Sequence, residues 1–451
     1  MTYPTIFANL AGGTQPASLL DTMYNICGNQ GNIGCTAAGT NAITLTPNTN
    51  QFLPAAYVNF QMATFVAGAT STGVVTIQIG ALGFVNLYNA NGVQSNANDI
   101  ASGTLYTVVF NQALNSGAGG FIITSAVTSA AAPTPQGYLT LVSATPIITS
   151  DTTISAGSPM FYTPFQGATV SIWNGSVWVA TTFAELSLTM NAAHLASNLY
   201  DVFIFNNGGT LTLVTGPTWT TGGGSITPGS CARGTGAGST QLQRTQGFWN
   251  NAVTVTGRNG VNTFTVNPGF GTYLGSIFMD TVNGQLTCHR SYGQSRKWGV
   301  WNNFQRQPIV MKAGDSTASW IYVTNAVRAS NNATANSLTT FMGLAESPYD
   351  LIFNQRTETT TAAVATNTQS AIHGIGYNVT NAFSGTVARN QCTTPAAGNL
   401  SIDQTTEARF LAPPAIGINT VTACELCDLS TSSTSFFGTE TNMLLTSIHP
   451  G

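Results

Sequence analysis

Basic residues are absent from the first half of this chain. All 12 Lys and Arg residues of the 451-residue sequence lie between Arg233 and Arg409, so the first 232 residues contain none. Charged residues make up only 6% of the chain, against about 25% in an average soluble domain. Such a surface must be kept in water by the neutral side chains of Ser, Thr, Asn and Gln. This composition is unlike that of a cytosolic enzyme and is common in rigid β-structure that neighbouring subunits cover.

The charge distribution and the apolar pattern argue against several classes of protein. Without clustered Lys and Arg, the first half lacks the positive surface that phosphate recognition requires, so we expect no nucleic-acid partner. No segment approaches the roughly 18 consecutive apolar residues of a membrane span. The first ten residues do not show a charged region followed by an apolar one, as a secretory signal would. We therefore expect neither a membrane partner nor export by that route.

No cofactor or metal site is predicted. The seven cysteines show no regular spacing, and the C-x-x-C of Cys424 and Cys427 has no second pair of zinc ligands at comparable spacing. The common nucleotide-binding and hydrolase motifs do not occur either, so we expect no enzyme activity. One alternative stays open, the cleavage of glycosides by two carboxylates. Its candidates are Asp280, Asp315, Glu346 and Asp350.

One short helix is predicted near the N-terminus. Thr14 is suited to cap it, and Leu19, Leu20 and Met23 recur at helical spacing on one face. That apolar face needs a partner. It either anchors the chain to another protein or closes a small local core, and the sequence does not decide between the two.

Beyond this helix the pattern is that of β-strands. Residues 75–79 alternate between apolar and polar side chains, which is the period of a half-buried strand. The Asn174-Gly175 pair separates two short apolar runs and predicts a hairpin, because both residues tolerate positive φ. Residues 206–209, Asn-Asn-Gly-Gly, predict a second hairpin in the same way.

The composition divides the chain into five parts. We expect an N-terminal anchoring segment at 1–45, a first β-module at 46–130, a second at 138–220, a Gly-rich linker at 221–240 and an aromatic-rich β-domain at 241–451. The predicted fold class is mostly β, with antiparallel sandwich or barrel modules. A homotrimer is expected, because closed symmetry protects strand edges that carry few charges.

The basic residues of the C-terminal part are mixed with aromatic residues. Trp298, Trp301, Arg296 and Arg306 lie within eleven residues of one another. Together they form a candidate surface-binding cluster for a single strand or a glycan. The alternative is an aromatic core whose arginines pair with acids or extend to the surface.

Several segments, in this order, resemble the structural proteins of tailed-bacteriophage particles. The segment Leu10–Asp21 is similar to the opening of many fibre and appendage proteins of such phages. Similar modules occur at Thr72–Gly80, at Phe161–Gly167 and at Tyr273–Ile277. The likeness covers most of the chain and points to proteins described as tail fibres, head fibres or decoration proteins.

This resemblance implies a virion protein that is assembled in the host cytoplasm and released by lysis. The implied partners are copies of itself and other virion proteins of the capsid, portal, neck or tail, with Leu19, Leu20 and Met23 as the anchor face. The class supplies no catalytic residues. A receptor-binding or glycan-cleaving fibre or spike, with a host surface glycan as partner, is the alternative.

Overall fold

The structure is a computed structural model that describes residues 32–49, 51, 55–124, 133–175, 177–219, 231–361, 368–393, 400–413, 415–428 and 433–451. About half of the chain is in strands, and these residues include no helix of seven or more residues. The prediction of a mostly β protein is therefore confirmed. The predicted N-terminal helix, with Leu19, Leu20 and Met23, lies outside the described residues. The chain forms two compact units, Met1–Ala131 and Ala132–Gly451.

Seven strands of the first unit close into a barrel in the order β1-β2-β4-β5-β7-β6-β3. The strands are β1 (Asn32–Ala38), β2 (Ala42–Pro47), β3 (Met62–Val66), β4 (Thr76–Ile79), β5 (Val85–Tyr88), β6 (Leu105–Asn111) and β7 (Gly120–Ile123). The first two begin inside the segment 1–45 that was expected to be an anchor. Residues 32–45 are therefore part of the barrel.

The barrel contains parallel as well as antiparallel strand pairs. Consecutive strands run in opposite directions, but β1 pairs in parallel with β3, β2 with β4 and β5 with β7. The sequence predicted antiparallel modules because it shows no crossover helices. In this barrel the crossover connections are loops rather than helices. These loops join strands that are not neighbours in the sheet, which allows the parallel pairs.

Two of these crossing loops, residues 67–75 and 89–104, are fastened together at the end of the barrel where β6 begins. The buried Ser71 makes the connection, since its N–H donates to Ile100 O at 2.9 Å and its hydroxyl donates to Asn96 O at 2.8 Å. Ile100 is fully buried beneath the loops. This end of the barrel is therefore closed by its own chain.

Alternation along the strands fills the barrel. In β6 the inward side chains are Tyr106, Val108 and Phe110, all buried. Ile77 and Ile79 of β4 are also fully buried, as the alternation of residues 75–79 predicted. The period-2 pattern thus identified the core face of this strand correctly.

The second unit begins with eight strands that include both predicted hairpins. They are β8 (Gly137–Thr140), β9 (Thr152–Ile154), β10 (Pro159–Pro164), β11 (Thr169–Trp173), β12 (Trp178–Thr182), β13 (Leu186–Thr189), β14 (Leu199–Asn207) and β15 (Thr210–Thr218). The hairpins β11–β12 and β14–β15 pair as expected around the turns at Asn174-Gly175 and Asn206–Gly209.

Eight further strands lie after residue 240. They are β16 (Leu242–Thr245), β17 (Phe248–Asn251), β18 (Val255–Asn259), β19 (Asn262–Val266), β20 (Thr272–Phe278), β21 (Leu286–Cys288), β22 (Arg296–Lys297) and β23 (Val300–Asn302). The segments 138–220 and 241–451, predicted as separate domains, are joined here. The central strand β14 pairs with β15 on one side and with β20 on the other, in one eight-stranded sheet. Seven consecutive residues of β14 are buried, so it requires a partner on both edges.

The remaining eleven strands, together with β22, form two six-stranded sheets. They are β24 (Pro308–Ala313), β25 (Ser319–Ile321), β26 (Arg328–Ala329), β27 (Ser337–Met342), β28 (Tyr349–Thr361), β29 (Thr368–Tyr377), β30 (Ala388–Thr393), β31 (Leu400–Ala412), β32 (Gly417–Cys427), β33 (Ser433–Phe437) and β34 (Met443–Pro450). One sheet contains β22, β26, β27, β29, β30 and β32, and the other contains the rest. Rings from the two sheets contact each other, as for Phe353 and His373, which meet edge to face with 5.1 Å between their centroids.

The predicted linker 221–240 lies half outside the described residues, and its last ten residues are not a flexible connector. Cys231, Ser239 and Thr240 are buried. Arg233, whose side chain is 10% exposed, forms an ion pair with the fully buried Asp201 of β14, with 2.7 Å between Nε and Oδ2. A buried carboxylate needs such a partner, and this need fixes the segment in the core.

Donors surround Asp201 on all sides. Besides Arg233, its two oxygens accept hydrogen bonds from Trp219 Nε1 at 3.0 Å, Thr240 Oγ1 at 2.8 Å and Ser276 Oγ at 2.6 Å. The guanidinium of Arg233 lies over the ring of Trp219, 4.1 Å from its centroid, and donates to Gly343 O at 2.7 Å. The network connects β14, β20, the segment 231–240 and the end of β27.

We predict that Asp201→Asn destabilises the second unit by about 3–5 kcal/mol, because it leaves the Arg233 cation buried without a counter-charge. Equilibrium unfolding in urea, followed by tryptophan fluorescence, measures the change. The control is Asp403→Asn, which removes an exposed ion pair with Arg356 and should change little. Equal losses in the two variants would contradict the assigned role of the network.

Candidate functional site: an apolar rim on the barrel

Among its described residues, the first unit exposes three large apolar side chains at one end of its barrel. Val58, Phe60 and Phe84, which we call the apolar rim, are 56%, 75% and 47% exposed. Phe60 precedes β3 and Phe84 precedes β5. The registers of Asn32 with Met62 and of Ile77 with Val85 place the starts of β1, β3 and β5 at this same end.

A half-buried tyrosine ring supports the rim from below. The Tyr57 hydroxyl donates to Gly83 O at 2.8 Å and accepts from Ile79 N–H at 3.1 Å, so the loops that carry Phe60 and Phe84 are tied together. The ring of Tyr57 stacks on Phe110 of the core, with 5.1 Å between centroids. The rim therefore rests on a fixed support. The backbone of Phe60 adopts a positive φ of 67°, which bulky residues rarely adopt.

The barrel presents almost no charge. Between residues 32 and 131 the sequence contains a single ionisable acid, Asp99, and no base. Asp99 accepts a hydrogen bond from Asn96 N–H at 2.7 Å, in the loop at the opposite end from the rim. That opposite end also exposes apolar side chains, among them Val66 and its cross-strand partner Leu105. Among the described residues, the rim end carries no charged side chain and the opposite end carries only Asp99, so little charge repulsion keeps these surfaces apart in solution.

The aromatic and basic cluster that the sequence suggested as a binding surface is placed differently. Trp298 and Trp301 are only 4% and 1% exposed and belong to the main core of the second unit. A stacking platform requires exposed ring faces, so the surface-binding prediction for these tryptophans is wrong. The physical reason is that β20 and β27 cover them: Trp301 pairs with Ser276, and the N–H of Trp298 donates to Thr339 O at 3.0 Å.

The arginines of this cluster pair with acids, as the alternative interpretation held. Arg296 Nη1 lies 3.0 Å from Asp151 Oδ2. Arg306 forms an ion pair with Glu346, and its guanidinium lies 4.6 Å from the centroid of the Trp301 ring. Both cations are therefore neutralised, and the aromatic residues beneath Arg306 are part of the fold.

The four acids considered for glycoside cleavage are occupied by donors. Asp280 pairs with Lys297, Glu346 with Arg306 and Arg244, and Asp350 with Arg409. Asp315 accepts from the amides of Asn331 and Asn336, each at 3.0 Å.

The surroundings of Asp280 and Asp315 favour the ionised form. Burial alone would raise the pKa of each, but the hydrogen bonds from Lys297 to Asp280 and from Asn336 to Asp315 outweigh it and lower both values. A general acid needs the opposite shift. Neither carboxyl group is prepared to protonate a leaving group.

Sequence reasoning missed one carboxyl group with a raised pKa. Glu425 is fully buried in β32, and burial raises its pKa to about 7, although Trp320 Nε1 and Arg328 donate to it at 2.7 and 2.8 Å. It stands between Cys424 and Cys427. The C-x-x-C spacing pointed to the two flanking thiols as possible metal ligands and not to Glu425. Both thiols are buried and form no disulfide. Burial raises the pKa of the Cys424 thiol to about 12.

Two further findings concern the part of the chain that the structure describes. No group of three or more His, Cys, Asp and Glu side chains is arranged to hold a metal ion there. Among the same residues, no helix has the length and apolar character needed to cross a membrane.

Comparison with known proteins gives no family. No family model and no curated protein sequence matches this chain. Among solved structures, a tryptic core variant of Bacillus thuringiensis Cry1Da is 7% identical with a TM-score of 0.14, over 73% of this chain and 54% of that chain. An exo-β-1,3-galactanase variant from Phanerochaete chrysosporium is 10% identical with a TM-score of 0.11, over 76% of this chain and 75% of the other. This chain thus spans about half the length of the Cry1Da structure, and scores this low carry no argument about fold or function.

We predict that Glu425 makes the second unit less stable as the pH rises. Its folded pKa of about 7 lies above the ordinary 4.5, so the stabilisation is complete below pH 4.5 and is lost as the pH rises through 7. Between pH 5 and pH 8 the wild type should lose about 2 kcal/mol relative to Glu425→Gln, at ~1.4 kcal/mol per pKa unit. Urea unfolding of both proteins at the two pH values measures this difference, to which shared histidine titrations do not contribute. A constant difference between them would refute it.

Proposed function

We propose that this chain is a structural protein of a tailed-bacteriophage particle, an oligomeric fibre, spike or decoration protein that packs against its neighbours through the first unit. The observation that carries this proposal is the apolar rim on an almost uncharged barrel. A homotrimer attached to the capsid, neck or tail is the assembly that we expect.

The rim has the character of a contact surface. Single exposed apolar side chains are common on monomers, but a group of them at one end of a barrel suits an interaction site. Phe60 and Phe84 extend from loops that Tyr57 fastens to the core. Ordering them against a partner would therefore cost little additional conformational entropy.

The charge distribution supports permanent packing rather than a free existence in solution. Soluble monomers normally keep apart through net charge, and the barrel has only Asp99 for that purpose. Ten of the 12 basic side chains, all in the second unit, are in ion pairs with acids. Identical copies of such a molecule can approach closely without strong repulsion.

We predict that the purified chain is an oligomer and that the rim contributes to it. Phe60→Asn combined with Phe84→Thr removes two apolar rings, and Asn suits the positive φ at position 60. The double variant should shift the population toward a monomer of 46.9 kDa, as measured by light scattering after size-exclusion chromatography. The control is Val261→Thr, which changes a residue that is 85% exposed in the second unit. A wild-type chain that is already a monodisperse monomer would contradict the proposed assembly.

The proposed location in the virion is tested with purified phage particles. In particles purified from lysed cells that express the gene, the chain should sediment with the shell proteins at a constant copy number, as measured by quantitative mass spectrometry. A chain found only in the soluble fraction would contradict a virion role.

A further inference from the structure

The second unit contains a cleft of about 350 Å³ between the turns of the β11–β12 and β14–β15 hairpins. Asn174 and Asn206 stand at the two turns, and Phe270 closes one side. Its volume lies at the lower end of the roughly 300–1,000 Å³ that is typical of small-molecule sites. The cleft and the apolar rim belong to different units, so a ligand could bind in the cleft whether or not the rim mediates assembly.

Two aromatic rings line the cleft on rigid supports. Trp173 is half-buried and packs against the buried Trp178, with 5.3 Å between ring centroids. Trp178 is fixed in turn, because its Nε1 donates to Thr245 O at 3.0 Å. Phe270 is 39% exposed and lies over Gly175, where a Cβ atom would stand 3.6 Å from the ring. The rings are exposed to the cleft but held in place.

Neutral polar groups accompany the rings. The Asn206 Oδ1 atom accepts the N–H of Gly209 at 2.6 Å, which orients the amide. Its NH₂ group makes no hydrogen bond within the described residues and can donate to a ligand. Thr181 adds a hydroxyl group. None of the nine described residues that line the cleft is charged.

From this lining we infer that the cleft binds one or two pyranose rings of a neutral carbohydrate. Such a sugar presents an apolar C–H face, which stacks on an aromatic ring, and hydroxyl groups, which pair with amides and hydroxyls. Phosphorylated and carboxylated ligands would bring a charge that no described lining residue neutralises. A purely apolar ligand would make no use of the Asn206 NH₂ group or the Thr181 hydroxyl.

The test uses the full-length chain and four free sugars, D-glucose, D-galactose, D-mannose and N-acetyl-D-glucosamine, each at millimolar concentration. Saturation-transfer NMR should show transfer from the protein to the ring C–H protons of at least one sugar. Phe270→Ala should weaken its affinity roughly tenfold, in line with the loss of one aromatic contact.

A second variant separates binding from folding. Asn206→Asp keeps an acceptor for Gly209 N–H but removes the NH₂ donor, so it should preserve the hairpin and reduce the transfer. The control is Leu411→Ala, which removes an exposed apolar side chain of the second unit that does not line the cleft and should leave the sugar signal unchanged.

Three results would overturn the inference: no transfer from a folded wild-type chain to any of the four sugars, transfer that is undiminished in both Phe270→Ala and Asn206→Asp, or an equal loss in Leu411→Ala. Loss of the oligomer in the rim variants with an intact sugar signal would count only against the proposed assembly, because the two readouts report on different units.

Discussion

The ion pair of Asp201 and Arg233 determines how the second unit is assembled. Asp201 lies on a strand whose neighbouring residues are almost all apolar and buried, so its carboxylate depends on donors supplied by other parts of the chain. Arg233 supplies the charge, and Trp219, Thr240 and Ser276 supply the remaining hydrogen bonds. A segment rich in Gly and Ser is thereby held in the core. The hairpin β14–β15 and the strands β16–β20 and β23 consequently belong to one sheet.

The two units obtain their solubility and rigidity by different means. The barrel has a single charged residue in its strands and loops and relies on packed aromatic and aliphatic side chains, as in the stack of Tyr57 on Phe110. The second unit contains every basic residue of the chain and pairs most of them with acids. A surface without free charge has little to oppose contact with another protein. The apolar rim is proposed to contact other proteins, and the hairpin cleft is proposed to bind a sugar.

Local features of the fold could be predicted from the sequence, and the long-range ones could not. Alternation at Ile77 and Ile79 and the Asn174-Gly175 turn are determined by neighbours in the chain, and both were predicted correctly. The second partner of β14, strand β20, is more than 60 residues away in the chain, and a local pattern does not contain this pairing. Trp298 and Trp301 show the same limit. Mixed aromatic and basic residues suit a binding platform and a paired core equally well, and only burial distinguishes the two. The rim and the cleft each combine residues from separate loops, so neither has a contiguous motif.

The loops and the strands of the barrel place different requirements on the sequence, and Ser71 illustrates the requirement of the loops. Its N–H and hydroxyl groups join the loops 67–75 and 89–104 at one mouth of the barrel, and two hydrogen bonds of Ser102, to Thr70 and to Gly68, join the same loops. The wall needs alternating apolar residues, whereas the loops need the residues that make these hydrogen bonds and the buried Ile100 side chain. Mutations elsewhere in these loops can therefore accumulate without disturbing the wall. Related chains could keep the same barrel while diversifying this mouth to meet different neighbours.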